Sequence, residues 1–367
     1  MFYSATARRR AMALATWRPS TKRSVAVFVA AVAAALALNA SSAMADSFCV
    51  HKSGCVGVEK DTLTEALNSV NASSGPHVVE LGPGSYANGV TTIQNAVRIE
   101  GAGRDQTLIT SANGDTTLDF AQGPANGSSV KNLTVRAIAT KPAIMIENGN
   151  LEGIRANSEN ADSGAPPLVV LAGTSSIQHA LIDGSKVDGR YALASAVLPG
   201  SSVPASVSIS DTSVTGTVAG LRCEAVANAT TMRRTTINAG SQAGRFINGA
   251  SLDAEDVVVT NDPTTATPSI ASDYVALDAI FPGCPGMSAA TSTGTTSVNL
   301  RHVTMVNRNS SEPSTTGPNG YSALAAGLSG ASSPSQNSDV FITDSIIYGF
   351  PITYNTHTTV NGWGHIV

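Results

Sequence analysis

Four charged residues in the middle of the chain have types and spacing that could serve chemistry. They are Arg222 and Glu224 in GLRCEA (220–225), Arg245 in GRFIN (244–248) and Asp278 in YVALDAIF (274–281). Charged residues make up only 13% of the sequence, about half the usual share. If the three segments are strands that stack on one another, the four side chains share one face and can act on one ligand.

Two kinds of sugar chemistry fit these residue types. A polysaccharide lyase needs a base beside the acidic carbon and a cation for the sugar carboxylate, and Arg222 or Arg245 could serve, with or without Ca²⁺. A glycoside hydrolase needs two carboxylates, and Glu224 with Asp278 is the only obvious pair. Two stacked rungs would separate them by about 9.6 Å, at the upper end of the ~6.5–9.5 Å of inverting enzymes. The simpler interpretation is that these charged side chains pair with one another on an ordinary solvent-exposed surface.

Aromatic residues and long connections border the same segments. Tyr191, Tyr274 and Tyr321 each begin a strand-like segment, and aromatic faces can stack on sugar rings. The longest connections are residues 261–273, 280–296, 308–320 and 328–339. Long loops on one side of a repetitive fold often form a binding wall. The sequence therefore predicts a substrate-binding face that contains Arg222, Glu224, Arg245, Asp278, Tyr274 and Tyr321.

A ten-residue pattern indicates the elements that must position these side chains. Clear copies are VSISDTSVTG (207–216), LDAEDVVVTN (252–261), VNLRHVTMVN (298–307) and VFITDSIIYG (340–349). The third positions of all copies are Val130, Leu151, Ile177, Ile209, Met232, Ala254, Leu300 and Ile342. Successive steps are 21, 26, 32, 23, 22, 46 and 42 residues. A period in the low twenties predicts a stacked solenoid, and the last two steps predict that one copy has decayed in each gap.

The fifth position of each copy is predicted to be a sharp bend between two short strands. It is occupied by Asn132, Gly153, His179, Asp211, Arg234, Asp256, His302 and Asp344. Asn, Asp, Gly and His best tolerate a left-handed backbone. Asp211, Arg234 and Asp256 would then follow one another on three rungs. We interpret them as a surface ion-pair ladder rather than as an acid/base cluster.

A third strand precedes most copies, which gives three short strands per rung. The sequence therefore predicts an all-β fold, a right-handed parallel β-helix. A short helix, TLTEALNSV (62–70), with Asp61 as its N-cap, is expected to close the N-terminal end. No comparable cap follows PITYN (351–355). The tail could cap the stack, the end could pair with another molecule to form an oligomer, or the sequence could be a fragment.

The first 45 residues are predicted to be an export signal. Six basic residues precede the apolar run 24–40, and Ala43-Met44-Ala45 supplies a small-x-small cleavage site. Removal changes 22 basic and 26 acidic residues to 16 and 26, a net charge near −10. This charge argues against nucleic acid or an anionic membrane as partners. The protein is expected to be secreted or displayed at the cell surface.

Four cysteines remain after export. An even count in an exported chain favours disulfides, with Cys49 bonded to Cys55 in a small loop and Cys223 able to pair with Cys284. Their spacing does not match a zinc site. The chain also contains no calcium-loop motif, no P-loop and no Ser/His/Asp set that spacing would identify. No cofactor is therefore expected, and Ca²⁺ has no motif to support it.

Several segments together resemble the pectate-lyase-like β-helix superfamily, especially its secreted bacterial members. They are the short helix, VVELGPGSY, VRIEGAG and repeats of the type V-x-I-x-D-x-x-V-x-G, within residues 56–355. The resemblance implies the β-helix, and it implies that a polysaccharide would bind along one parallel sheet walled by long loops. The superfamily also includes lyases, hydrolases, esterases and adhesins. The NTD, paired-Asp and GHG set of polygalacturonases and the WIDH and RxPxxR segments of pectate lyases are missing, so no catalytic residue follows.

The expected organisation is a signal peptide (1–45), a disulfide loop with a capping helix (46–75), the β-helix (76–357) and a C-terminal tail (358–367). The expected function is contact with an extracellular or cell-wall polysaccharide, with or without catalysis. One alternative is a divergent polysaccharide lyase or glycoside hydrolase. The other is a structural or adhesive surface solenoid.

Overall fold

The computed structural model of the protein describes most of the chain after residue 45. The described residues are 46–120, 125–138, 141–158, 167–184, 192–195, 205–216, 221–223, 229–239, 244–246, 250–261, 275–280, 296–308, 322–327, 338–349, 352–356 and 364–366. Their strands form three parallel sheets of 13, 10 and 9 strands, which we call sheets A, B and C.

The chain visits the sheets in turn, so that successive strands of one sheet belong to successive rungs. Sheet A contains β1 (Asp46–Val50), β2 (Val58–Lys60), β3 (His77–Leu81), β5 (Val97–Glu100), β8 (Ser129–Lys131), β11 (Asn150–Glu152), β14 (Thr174–Gln178), β17 (Ser206–Ser210), β20 (Ala229–Arg233), β23 (Ser251–Glu255), β26 (Thr296–Arg301), β29 (Ser338–Thr343) and β32 (Gly364–Ile366). Sheet B contains β4 (Gly84–Asn88), β6 (Thr107–Ser111), β9 (Thr134–Ala137), β12 (Arg155–Ser158), β15 (Leu181–Gly184), β18 (Ser213–Gly216), β21 (Thr236–Ala239), β24 (Val258–Asn261), β27 (Thr304–Asn307) and β30 (Ile346–Tyr348).

Sheet C contains the strands that precede the ten-residue copies and one strand that follows the last copy. They are β7 (Leu118–Phe120), β10 (Ile144–Glu147), β13 (Val169–Ala172), β16 (Leu193–Ser195), β19 (Leu221–Cys223), β22 (Gly244–Phe246), β25 (Val275–Ile280), β28 (Ser322–Gly327) and β31 (Ile352–Thr356). Crossovers between parallel strands of one sheet are right-handed in nearly all proteins. The prediction of a right-handed parallel β-helix with three strands per rung is confirmed.

The strand register confirms the repeat but corrects the count of its copies. Leu151 pairs with Val130 and Ile177, so the degenerate copy is a true rung. Ala254 pairs directly with Leu300, which pairs directly with Ile342. The prediction of a decayed copy in each of the last two gaps is therefore wrong. The additional residues of those steps fall in the connections before and after β25 and β28, not in a lost rung.

Alternating side chains of the three sheets fill a narrow core. Ile209 of β17, Ile237 of β21 and Ile146 of β10 are 0–1% exposed. Burial of each such side chain stabilises the fold by about 1.5–3 kcal/mol. Because parallel strands stack in register at about 4.8 Å, each buried residue packs on its equivalents in the adjacent rungs.

The predicted bends have the predicted backbone conformation. Every fifth-position residue has a positive φ, between 46° at Arg234 and 62° at Gly153. Two residues separate the strands of sheets A and B at these bends, as between β17 and β18. The rung of β5 and β6 differs, since the six residues 101–106 connect its strands.

A helix lies at the N-terminal end, as predicted, but its cap differs from the prediction. Helix α1 spans Leu63–Ala72 and buries Leu63, Ala66, Leu67 and Val70. Thr62, not Asp61, is the N-cap, because its backbone is extended and its hydroxyl accepts a hydrogen bond from the Glu65 amide at 3.2 Å. The Glu65 carboxylate in turn accepts from the Asp61 amide at 3.3 Å, one residue before the N-cap, so the cap lies one residue later than expected.

The cysteine prediction is confirmed for the first pair. The Cys49 and Cys55 sulfurs are bonded at 2.01 Å, and Cys49 lies in β1, which pairs with β3 in sheet A. Cys223 lies in β19, whereas Cys284 lies outside the described residues, so their pairing stays a prediction. In the part of the chain that the structure describes, no helix is long and apolar enough to span a membrane.

Candidate functional site

Sheet C brings three of the predicted site residues into one register column. Arg222 of β19 pairs with Arg245 of β22, and Arg245 pairs with Asp278 of β25. The three positions therefore follow one another on consecutive rungs, about 4.8 Å apart. Glu224, Tyr274 and Tyr321, as well as Tyr191, lie outside the described residues.

The same column changes character along the axis of the stack. From the N-terminal side its residues are Asp119, Met145, Val170, Ala194, Arg222, Arg245, Asp278, Ala325 and Asn355. Val170 and Ala194 are 6% and 3% exposed, and Met145 packs against Val170. An apolar stretch thus precedes the three charged rungs, so the candidate polar site on this sheet begins at β19.

The bend column forms the predicted ion-pair ladder, with a preference that the sequence did not specify. Arg234 donates two hydrogen bonds to the carboxylate of Asp211, Nε to Oδ1 at 2.7 Å and Nη2 to Oδ2 at 2.8 Å. The hydrogen bonds from Arg234 lower the pKa of Asp211, and the Asp211 carboxylate raises the pKa of Arg234. His302 Nδ1 lies 3.5 Å from Asp256 Oδ1. Asp211 is half-buried and Arg234, Asp256 and His302 are exposed, so these contacts stabilise the surface weakly and none of these four groups is a buried acid or base.

A second ladder follows the outward positions of sheet A, and sequence reasoning missed it. Lys131 Nζ contacts Glu152 at 2.5 Å, and Arg233 Nε lies 3.2 Å from a carboxylate oxygen of Glu255. Arg301 approaches the other oxygen of Glu255 at 2.5 Å. The hydrogen bond from Lys131 lowers the pKa of Glu152. Opposite charges one rung apart account for these contacts, and their pairing favours a structural role.

A polar cleft of about 350 Å³ lies over the N-terminal part of sheet B. Its floor includes Thr134 and Arg136 of β9 and Arg155 and Asn157 of β12, at outward positions of adjacent rungs. Its wall is the loop 101–106, which contributes Arg104, Asp105 and Gln106. Sequence reasoning missed this cleft, although the length of GAGRDQ relative to the two-residue bends was a usable signal.

Arginine dominates the contacts of the cleft. Arg155 Nη1 lies 2.8 Å from Asp105 Oδ1, which ties the floor to the wall. Arg136 Nε donates to Asn157 Oδ1 at 3.4 Å, and Arg104 Nη1 donates to the His179 carbonyl at 3.4 Å. Arg104 Nε is buried and has no hydrogen-bond partner among the described residues. The cleft can therefore offer guanidinium donors to an anion.

Among the described residues, no three or more His, Cys, Asp or Glu side chains are grouped so that they could hold a metal ion. The acidic side chains of the two ladders instead contact Lys, Arg and His.

No protein-family model matches the chain, and no curated protein matches it. Solved structures that resemble it include pectin methylesterase PemA from Erwinia chrysanthemi, at 12% identity over 72% of this chain and 80% of that chain, with a TM-score of 0.39. Pectin methylesterase from carrot matches at 14% identity over 88% of both chains, with a TM-score of 0.38. The A-module of mannuronan C-5 epimerase AlgE6 from Azotobacter vinelandii matches at 13% identity over 83% and 92%, with a TM-score of 0.33.

These likenesses are too distant to indicate a reaction. The three sheets, the single register that runs through each of them and the column of left-handed bends define the fold without them. The chain is a right-handed parallel β-helix, the architecture that its resemblance to the pectate-lyase-like superfamily implied.

Proposed function

We propose that the protein is exported and binds an extracellular or cell-wall polysaccharide along the outer face of sheet C. The observation that supports this proposal is the register column of Arg222, Arg245 and Asp278 on three consecutive rungs. Three rungs extend about 10 Å along the axis, which suits a chain of sugars better than a single ring.

The residue types favour an acidic polysaccharide. Two arginines stand beside one aspartate, and a guanidinium binds a carboxylate through two parallel hydrogen bonds. Asp278 would accept hydrogen bonds from sugar hydroxyls. Glu224, Tyr274 and Tyr321 are neighbours of the column in sequence and belong to the proposed binding face, where the two tyrosines would stack on sugar rings.

The long connections of the chain support the same location. Residues 262–274 precede β25 and residues 281–295 follow it, whereas the bends between sheets A and B take two residues. Long loops attached to a rigid scaffold are where binding residues concentrate. Export, which the signal-like N-terminus predicts, would bring this face to extracellular glycans.

Binding can be tested with the purified protein and a panel of polyuronates and neutral polysaccharides. We expect a polyuronate to bind and Arg245→Ala to weaken binding by about tenfold or more, since a hydrogen bond to a charged group contributes about 1.5–3 kcal/mol. Arg308→Ala is the matched control, because Arg308 is exposed and lies outside the column. Equal affinity of the Arg245 and Arg308 variants would exclude the column as the binding site.

The same samples separate binding from catalysis. Absorbance of unsaturated uronides reports a lyase and release of reducing ends reports a hydrolase, each measured with and without Ca²⁺. Binding without product supports a binding protein. Product formation that Arg245→Ala or Asp278→Ala abolishes would replace this proposal with an enzyme, and neither binding nor turnover would favour a structural or adhesive solenoid.

A further inference from the structure

We propose that the cleft between loop 101–106 and sheet B is a second binding site, which takes the carboxylate of an acidic sugar. It lies on a different sheet from the column of Arg222, Arg245 and Asp278, and it does not depend on that column. Its residues belong to β9, β12 and the loop, and they come from three consecutive rungs.

Contacts between its wall and its floor hold the cleft in shape, so it is not a chance group of surface arginines. Arg155 bonds to Asp105 at 2.8 Å, so an ion pair holds the loop over the sheet. The Thr134 hydroxyl also donates to the Arg104 carbonyl, which fixes the loop from beneath. Both contacts join the wall to the floor, so the donors of the cleft are held in place before a ligand arrives.

The charge of the cleft opposes that of the protein as a whole. Three arginines and one aspartate line it, whereas the sequence carries a net charge of −4. The described partner of Arg104 is the uncharged carbonyl of His179, so this contact leaves the positive charge of Arg104 unneutralised. The Nε of Arg104 is buried, and no described residue accepts a hydrogen bond from it. A buried donor without an acceptor is costly, and an anionic ligand in the cleft would offset this cost through its attraction to the charge of the same guanidinium.

The size and lining indicate the class of ligand. A volume of about 350 Å³ is at the lower end of small-molecule sites, which suits one sugar ring rather than a nucleotide. The remaining lining is mostly Ser, Thr, Gln and Asn, which can bond to hydroxyl groups. A guanidinium fork matches a planar carboxylate, so a uronate residue satisfies both parts of the cleft.

The test uses trigalacturonate, its methyl ester and inorganic phosphate as probes in calorimetric titrations of the whole protein. We expect trigalacturonate to bind and the uncharged methyl ester to bind at least tenfold more weakly. Arg104→Gln should remove this binding event. Arg98→Gln is the matched control, because Arg98 lies on the outside of sheet A, outside the cleft, and its side chain forms an ion pair with Glu100.

A second variant protects the test against misfolding. Gln106 is exposed on the rim, so Gln106→Glu places a negative charge in the cleft without a change in side-chain size. It should weaken trigalacturonate binding while the melting temperature stays within a few degrees of the wild type. Unchanged binding in both variants would overturn the proposal, and phosphate binding as tight as that of trigalacturonate would overturn its sugar component.

The two proposed sites give distinguishable results. If both are occupied, the wild type binds two oligouronates, and Arg104→Gln and Arg245→Ala each retain one. Loss of binding only in Arg245→Ala supports the sheet C proposal and overturns this one. Loss only in Arg104→Gln supports the cleft and counts against sheet C.

Discussion

Single residues at the bends combine a backbone role with a surface charge. Asp211 and Arg234 both have left-handed backbones, with φ of 50° and 46°, and their side chains bond to each other across one rung. The left-handed region is costly for an arginine, which lacks the local hydrogen bonds of Asp or Asn. The same two residues therefore form the bends of adjacent rungs and the ion pair between those rungs.

The Asp211–Arg234 pair predicts a pH dependence. Because Arg234 lowers the pKa of Asp211 from its ordinary value of 3.8, the pair stabilises the fold above that value, and the contribution disappears as pH falls through the folded pKa. Arg234→Ala should raise the pKa of Asp211 in an NMR titration of its carboxyl carbon. The loss of stability in this variant should be small, present near neutral pH and absent in strong acid.

Arg308→Ala is the control for this experiment, since it removes the same charge from an exposed position elsewhere. An unchanged pKa of Asp211 in Arg234→Ala would show that another group holds it down.

The bend residues were predictable from the sequence, whereas for the cleft the sequence offered only the greater length of loop 101–106 as a signal. Asn, Asp, Gly and His recur at one position of the repeat, which indicates a left-handed backbone even where Arg234 interrupts the pattern. The cleft depends on how loop 101–106 lies over β9 and β12, and no periodic pattern records that contact. Arg104 and Arg155 are 51 positions apart in the sequence, and the stacking of rungs brings them into the same cleft.

From β8 onward, each described rung combines its strands with a bend of constant length between sheets A and B. The copies keep two residues between the strands of sheets A and B from β8 to β30, although the total rung length changes from 21 to 46 residues. The alternation of apolar residues fixes the register, since a slip of one residue would turn the core outward. The bend is thus the element whose substitution should be most sensitive to side-chain shape.

His302 tests the bend as an element. Its φ is 53° and its side chain is exposed, so His302→Val should destabilise the protein by roughly 1–2 kcal/mol, because a β-branched residue fits the left-handed region poorly. His302→Asn is the matched variant, which also loses the contacts with Asp256 and Asp344 but tolerates the backbone. Urea unfolding should separate the two, and equal midpoints would contradict the backbone explanation.

At the largest scale, the described strands from residue 46 onward form a stack in which each rung contacts its neighbours. Its architecture followed from the repeat, because period and strand pattern together permit few folds. The number of rungs did not follow, since step lengths of 46 and 42 residues looked like lost copies and are instead rungs with long connections. Sequence spacing measures the chain between rungs, whereas stacking depends only on the strands.

The stacking of rungs predicts which strands are destabilised by a substitution in one rung. Leu151 is fully buried in the rung of β11, so Leu151→Ala should cost about 2–5 kcal/mol. Hydrogen exchange should accelerate most in the adjacent strands β8 and β14 and much less in β26, because interactions are between nearest neighbours. Asn150→Ala on the same strand, where Asn150 is exposed, is the control. A uniform acceleration over all rungs would indicate one cooperative unit instead.

The bends between sheets A and B have a constant length from β8 onward, whereas the connections to sheet C vary in length. This difference affects how such a chain can evolve. A residue inserted at Asp211 or His302 would either turn the side chains of the next strand outward or require a protruding loop such as 101–106, so few insertions there should persist. The connections before and after β25 are far longer than the bends, and Ala254 still pairs with Leu300. New recognition surfaces can therefore be acquired beside sheet C, one insertion at a time, while the inherited scaffold remains unchanged.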